Sequence, residues 1–137
     1  MSAPQDLLAR LADVLSPVAG VDSEYDDALT VTHGGTVASI RVVTIAEGLD
    51  MVSLTQMLAW DLPVSAELHE RVAEQTARTL LGTVTLVARP ADAGTDGRLA
   101  DVMLRYNFPG AGLDDDALQT LILMVLAGGT DVREALG

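Results

Sequence analysis

Residues 37–58 read Val37-Ala38-Ser39-Ile40-Arg41-Val42-Val43-Thr44-Ile45-Ala46-Glu47-Gly48-Leu49-Asp50-Met51-Val52-Ser53-Leu54-Thr55-Gln56-Met57-Leu58. Two β-branched runs flank a turn, Glu47 to Asp50, that contains a glycine. Successive side chains of a strand point to opposite faces, so position parity sorts residues into two layers. Ile40, Val42, Val52, Leu54 and Leu58 fall on one face. Ser39, Arg41, Val43, Ile45, Met51, Ser53, Thr55 and Met57 fall on the other. This predicts an antiparallel pair of strands, Val37 to Ala46 and Met51 to Leu58 or Trp60, with one core face.

Upstream, Ala28 to Thr32 reads as a shorter strand. His33-Gly34-Gly35-Thr36 joins it to the next, because paired glycines accept the positive φ of a two-residue hairpin turn. An acidic loop, Asp22, Glu24, Asp26 and Asp27, precedes it. Before that, Leu7, Leu8, Leu11, Val14, Leu15 and Val18 recur at helical spacing. Ser2 and Gln5 stand in capping-box positions with Pro4 in the first turn. Pro17 and Gly20 end that helix.

Downstream, Asp61-Leu62-Pro63 breaks the strand pattern. Ser65 is a good N-cap for a helix from Ala66 to Leu81 with Leu68, Val72, Thr76 and Leu80 as its apolar stripe. Glu67 with Arg71, and Glu74 with Arg78, form i,i+4 pairs on its outer face. Gly82 is the C-cap. Two more strands follow, Thr83 to Arg89 and Arg98 to Asn107, joined by the loop Pro90 to Gly97. Asp114 caps a last helix, Asp115 to Ala127, with Leu113 and Leu118 as its hydrophobic staple. Gly128-Gly129 stops it, and Thr130 caps a terminal turn through Leu136. That helix is apolar nearly all round, which predicts burial on more than one side.

The predicted fold is a single α+β domain over residues 1–137. Five antiparallel strands carry helices on one face, in the order α-β-β-β-α-β-β-α. The last two strands extend the layers: Val84, Leu86, Val102, Leu104, Tyr106 and Phe108 inward, and Thr83, Thr85, Val87, Arg89, Asp101, Met103, Arg105 and Asn107 outward.

Composition narrows the function. The chain has 137 residues, 20 acidic and 8 basic, all of the latter Arg, for a net charge of −12. With no Cys and no Lys, thiol nucleophiles, Cys-based metal centres and Lys Schiff bases are excluded. The charge opposes nucleic acid and anionic membrane as partners. The first residues lack a signal peptide's basic and apolar regions. The longest apolar run, Leu121 to Ala127, falls far short of the about 20 residues of a membrane span, so a cytoplasmic protein is expected.

No catalytic, cofactor-binding or metal-binding residues are expected. His33-Gly34-Gly35 has no accompanying Gly-x-Ser-x-Gly elbow. Asp92 to Gly97 begins like a calcium loop but places Gly94 and Met103 where ligands belong. Asp114-Asp115-Asp116 point in different directions on a helix and serve its dipole. His33 and His69 are too few for a metal site. Gly110-Ala111-Gly112 lacks the dinucleotide fingerprint.

The mixed outer face is the informative feature, because it gathers Arg41, Arg89, Arg105, Met51, Met57 and Met103. Adaptable Met and stacking, forked Arg suit a contact surface. The residues expected to bind a partner are Arg41, Val43, Met51, Met57, Val87, Met103 and Arg105. A homodimer through this face is the first reading and a protein or peptide client the second. The alternative is a small-molecule-binding or enzymatic domain with a pocket between sheet and helix, lined by Trp60, Tyr106 and Phe108.

The element order resembles the type III secretion chaperone-like fold, shared by the secretion chaperones and the YbjN-like family of bacterial sensory transduction regulators. The resemblance is carried by Thr79-Leu80-Leu81-Gly82-Thr83-Val84-Thr85, where a helix runs into a strand. It is also carried by Leu104-Arg105-Tyr106-Asn107-Phe108-Pro109, followed by an apolar helix and a terminal turn with Asp131, Ala135 and Leu136. It implies a non-enzymatic protein, chaperone-like or regulatory, that dimerises.

Overall fold

The computed structural model describes residues 3–25, 27–90 and 97–137. The elements are α1 (Ala3–Leu15), β1 (Gly20–Tyr25), β2 (Ala28–His33), β3 (Thr36–Ala46), β4 (Leu49–Pro63), α2 (Ala66–Arg78), β5 (Thr83–Ala88), β6 (Leu99–Pro109) and α3 (Asp115–Leu136). The strands form one antiparallel sheet in the order β1-β2-β3-β4-β6-β5. The α+β class, the antiparallel sheet and the single helical face follow the sequence pattern.

The inner layers meet as parity required. Ile40, Val52, Leu54, Leu58, Val102 and Leu104 are fully buried, and Val84 and Phe108 nearly so. They pack against Leu7, Leu8, Leu11 and Leu15 of α1, Leu68 and Val72 of α2, and Leu118, Ile122, Val125, Leu126 and Val132 of α3. Val42, Leu86 and Tyr106 are half-buried at the margins. Helix α1 lies beside α3, which accounts for the apolar surplus of the last helix. Arg10 ties the two together through Asp115 and the Leu113 carbonyl. The caps also stand where expected. The Leu68 amide donates to Ser65 Oγ at 3.0 Å, and the Ala117 amide to Asp114 Oδ1 at 2.7 Å.

Four expectations are corrected. The sheet has six strands, not five, because the acidic stretch is an edge strand, β1, pairing Gly20 with Thr32 and Asp22 with Thr30. An edge strand with one half-buried apolar residue, Val21, leaves little period-2 signal. Strand β4 does not stop at Trp60 but runs to Pro63, through register shifts at Met57/Ala59 and Ala59/Leu62 and a positive φ of 56° at Asp61. A bulge absorbs the break that the sequence suggests. Helix α2 ends at Arg78 with Thr79 as its C-cap, so Leu80 is no part of its stripe and stands 84% exposed.

Finally, α3 runs unbroken through Gly128 and Gly129 to Leu136. Here Gly129 is a point of contact rather than a terminator. A Cβ there would lie 2.0 Å from Gln56 Oε1. Gln56 is fully buried in β4, and its Nε2 donates to Thr36 Oγ1 at 2.8 Å and to the Leu126 carbonyl at 3.1 Å. The Oε1 atom has no hydrogen-bond partner among the described residues and occupies the space beside Gly129. Thr130, helical rather than a cap, lies 2.9 Å from His33 Nδ1. A Cβ on Gly34 would collide with Thr130, so the hairpin glycine also serves this contact.

The capping role given to Ser2, the acidic position Asp26 and the loop positions Asp92 to Asp96 lie outside the described residues.

Gly129→Ala is expected to destabilise the protein by about 1–3 kcal/mol in urea unfolding, the usual cost of overpacking. That outweighs the helix-propensity gain of about 1 kcal/mol. In a Gln56→Ala background the penalty should shrink; an equal penalty in both backgrounds would locate the strain elsewhere.

Candidate interaction surface

All three helices pack on one side, so the other side of the sheet is open. The register lays its side chains out in rows. One row crosses every strand as Gly20, Thr32, Val37, Met57, Met103 and Thr85. The next runs Asp22, Thr30, Ser39, Thr55, Arg105 and Thr83. Arg41, Ser53 and Asn107 form a third, and Val43, Met51 and Pro109 a fourth.

The seven residues expected to bind a partner all lie on this face. Met57 sits directly opposite Met103, and Met51 opposite Val43. The three methionines are half-buried among their neighbours. Val43 and Val87 are 45% and 41% exposed, with Ile45 at 62% beyond them. Nothing in the described chain covers these side chains. Arg41 and Arg105 are exposed and make no ion pair among the described residues.

Sequence reading missed two parts of this surface. Val37 belongs to it, as its parity with Ser39 allowed. The second part is a polar knot at one corner. The Asp61 amide donates to Asp101 Oδ1 at 3.1 Å, and Arg89 bridges Asp61 and Asp101. The knot forms where the β4 bulge carries Asp61 beside β6, a proximity that no local pattern encodes.

The expected aromatic pocket is not assembled. Tyr106 and Phe108 sit 5.5 Å apart, centroid to centroid, and pair in register with Leu54 and Val52. Trp60 lies within the irregular stretch between Ala59 and Leu62 instead. There it lines a cavity of about 430 Å³ between β4 and α3 with Ala59, Leu62, Arg133, Glu134 and Leu136. Arg133 Nη1 is committed to the Leu58 carbonyl at 2.6 Å.

The polar candidates are structurally engaged. Asp114 caps α3, Asp115 pairs with Arg10, and His33 meets Thr130. His69 is exposed on α2. Among the described residues, no three His, Asp or Glu side chains are grouped to hold a metal ion, and no helix is long and apolar enough to cross a membrane.

No family model matches the chain, and no curated protein is significantly similar to it.

The corner knot generates a prediction. Asp101→Ala removes the acceptor for the Asp61 amide and one carboxylate from Arg89. A loss of about 0.5–1.5 kcal/mol in urea unfolding is expected, the net worth of one such hydrogen bond. An unchanged midpoint would show that the bulge holds without it.

Proposed function

We propose that the protein is a non-enzymatic protein-binding module, chaperone-like or regulatory, that takes a partner protein on the open sheet face. The observation that carries this reading is the face itself. Half-buried Met51, Met57 and Met103 lie on the same face as exposed Val37, Val43 and Val87, with none of the described elements laid over them. The apolar side chains form two patches, Val37, Met57 and Met103 toward one end of the strands and Val43 and Met51 toward the other, and exposed apolar patches mark contacts. Methionine adapts to varied shapes, and arginine supplies forked donors at the rim.

Charge bears on the partner. Two copies laid face to face would bring both pairs of Arg41 and Arg105 together, answered on this face mainly by the two Asp22 carboxylates. An acidic partner surface complements the face better.

Met57→Asp with Val87→Asp tests the assignment. A protein that co-purifies in stoichiometric amount with the wild type from the native host should be lost from the variant. A central contact residue typically contributes enough for an at least tenfold loss of affinity. The unfolding midpoint should stay close to that of the wild type. Equal recovery by both forms would reject the face.

A second reading rests on the cavity between β4 and α3, whose volume of about 430 Å³ suits a small ligand. In a thermal-shift screen it requires stabilisation by one metabolite class, and that stabilisation must disappear in Trp60→Ala.

A further inference from the structure

Two arginines of this chain, Arg10 and Arg133, are half-buried, and the others are exposed. Arg10 is answered by Asp115 at 2.9 Å. Arg133 makes no ion pair with any described carboxylate, although the chain has 20 acidic residues against 8 basic ones. Withdrawing a charge from water is costly unless hydrogen bonds or a counter-charge compensate it.

The guanidinium is fixed from two sides. Its Nη1 donates to the Leu58 carbonyl at 2.6 Å. Leu58 has no register partner in β3 or β6, because β4 shifts register between Met57 and Ala59. A bulge leaves its extra residue out of the ladder, and here Arg133 takes up that residue's carbonyl. From the hairpin between β2 and β3, Gly35 approaches so closely that a Cβ on it would lie 3.1 Å from Arg133 Nε. The remaining N–H groups of Arg133 have no hydrogen-bond partner among the described residues.

The same irregular stretch of β4 builds the cavity of about 430 Å³. Ala59, Trp60 and Leu62 line it from the strand, and Arg133, Glu134 and Leu136 from the end of α3. Its walls are mainly aliphatic and indole, with one half-buried cation among them, while Glu134 is exposed.

These features select a ligand class. A forked guanidinium with unused donors matches a planar carboxylate. Apolar walls call for an apolar body. Glu134 and a chain charge of −12 oppose phosphate and other multiply charged anions. We infer that the cavity binds a monocarboxylate with an apolar body, the carboxylate on Arg133 and the body against Trp60, Leu62 and Leu136. This rests on the reading of the cavity as a ligand site and is independent of what binds the open face.

Trp60 is the only tryptophan in the chain, so its emission reports occupancy directly. The test titrates the full chain with phenylpropanoate and, separately, with its neutral amide, phenylpropanamide. Phenylpropanoate should shift the emission to saturation and bind at least about tenfold tighter than the amide, because a charge-assisted hydrogen bond is lost with the charge. Inorganic phosphate should not displace it. Arg133→Gln keeps a donor for the Leu58 carbonyl but removes the charge. It should lower the affinity for the acid to that for the amide, and leave amide binding nearly unchanged, which reads out an intact cavity. Arg133→Lys, with the charge but not the fork, should recover part of the loss. Phenylalanine separates two sources of the carboxylate. Tighter binding than phenylpropanoate marks an amino acid, its ammonium group near Glu134, and weaker binding marks a simple acid.

Equal affinity for acid and amide, displacement by phosphate, or an acid affinity unchanged by Arg133→Gln would overturn the inference and leave the cavity a ligand site of another kind. Silence of both probes would overturn it as well. The broader reading of the cavity then falls only if the thermal-shift screen is also blank.

Discussion

The approach of α3 to β4 at Gly129 and Gln56 sets the frame for the rest of the structure. A helix side chain at that point would lie 2.0 Å from a buried carboxamide, so only glycine lets the helix lie this close. The contact also satisfies part of Gln56, whose Nε2 reaches Thr36 and the Leu126 carbonyl. Thr36 in turn donates to the His33 carbonyl at 2.5 Å, and His33 meets Thr130 on the next turn of α3. Strand, hairpin and helix are locked in one register. A buried polar network of this kind specifies position more than it adds stability, because Oε1 has no partner among the described residues.

With α3 held over β4, the other layers have little freedom. Helix α1 fills the space beside it over β3, and α2 covers β5 on the far side. All the helical mass falls on one face of a six-stranded antiparallel sheet. The opposite face is left to solvent although it carries methionine and valine. The acidic residues of the helices lie mostly on the other side, whereas Arg41 and Arg105 project from the open face. The molecule is polarised in both hydropathy and charge, and that polarity underlies its reading as a binding module.

The inner layer was legible because a strand's period of two and a helix's period of 3.6 are written residue by residue. Ile40, Val52, Leu54, Leu58, Val102 and Leu104 fall inward by parity alone, and Ser65 and Asp114 announce their helices by local chemistry. The errors share a cause. Gly128-Gly129 reads locally as a stop, Asp61-Leu62-Pro63 as a break, and Asp22 to Asp27 as a loop. Each local preference was overruled by a partner distant in sequence: Gln56 for Gly129, Asp101 for Asp61, and Thr30 and Thr32 of β2 for β1. The seven surface residues were found by parity. The edges of the sheet were not, since strand order is not a local property.

By itself, the sequence determined the two-layer character of each element and the identity of the side chains on each face. Alternation and amphipathicity are properties of neighbours along the chain. Only the tertiary structure decided that the acidic stretch joins the sheet as β1, that β1 and β5 are the edges, and that β6 lies between β4 and β5. Those outcomes depend on which strands pair and where a helix can approach a sheet. Contacts between residues far apart in the chain settle both, at Gly129 by the absence of a single Cβ.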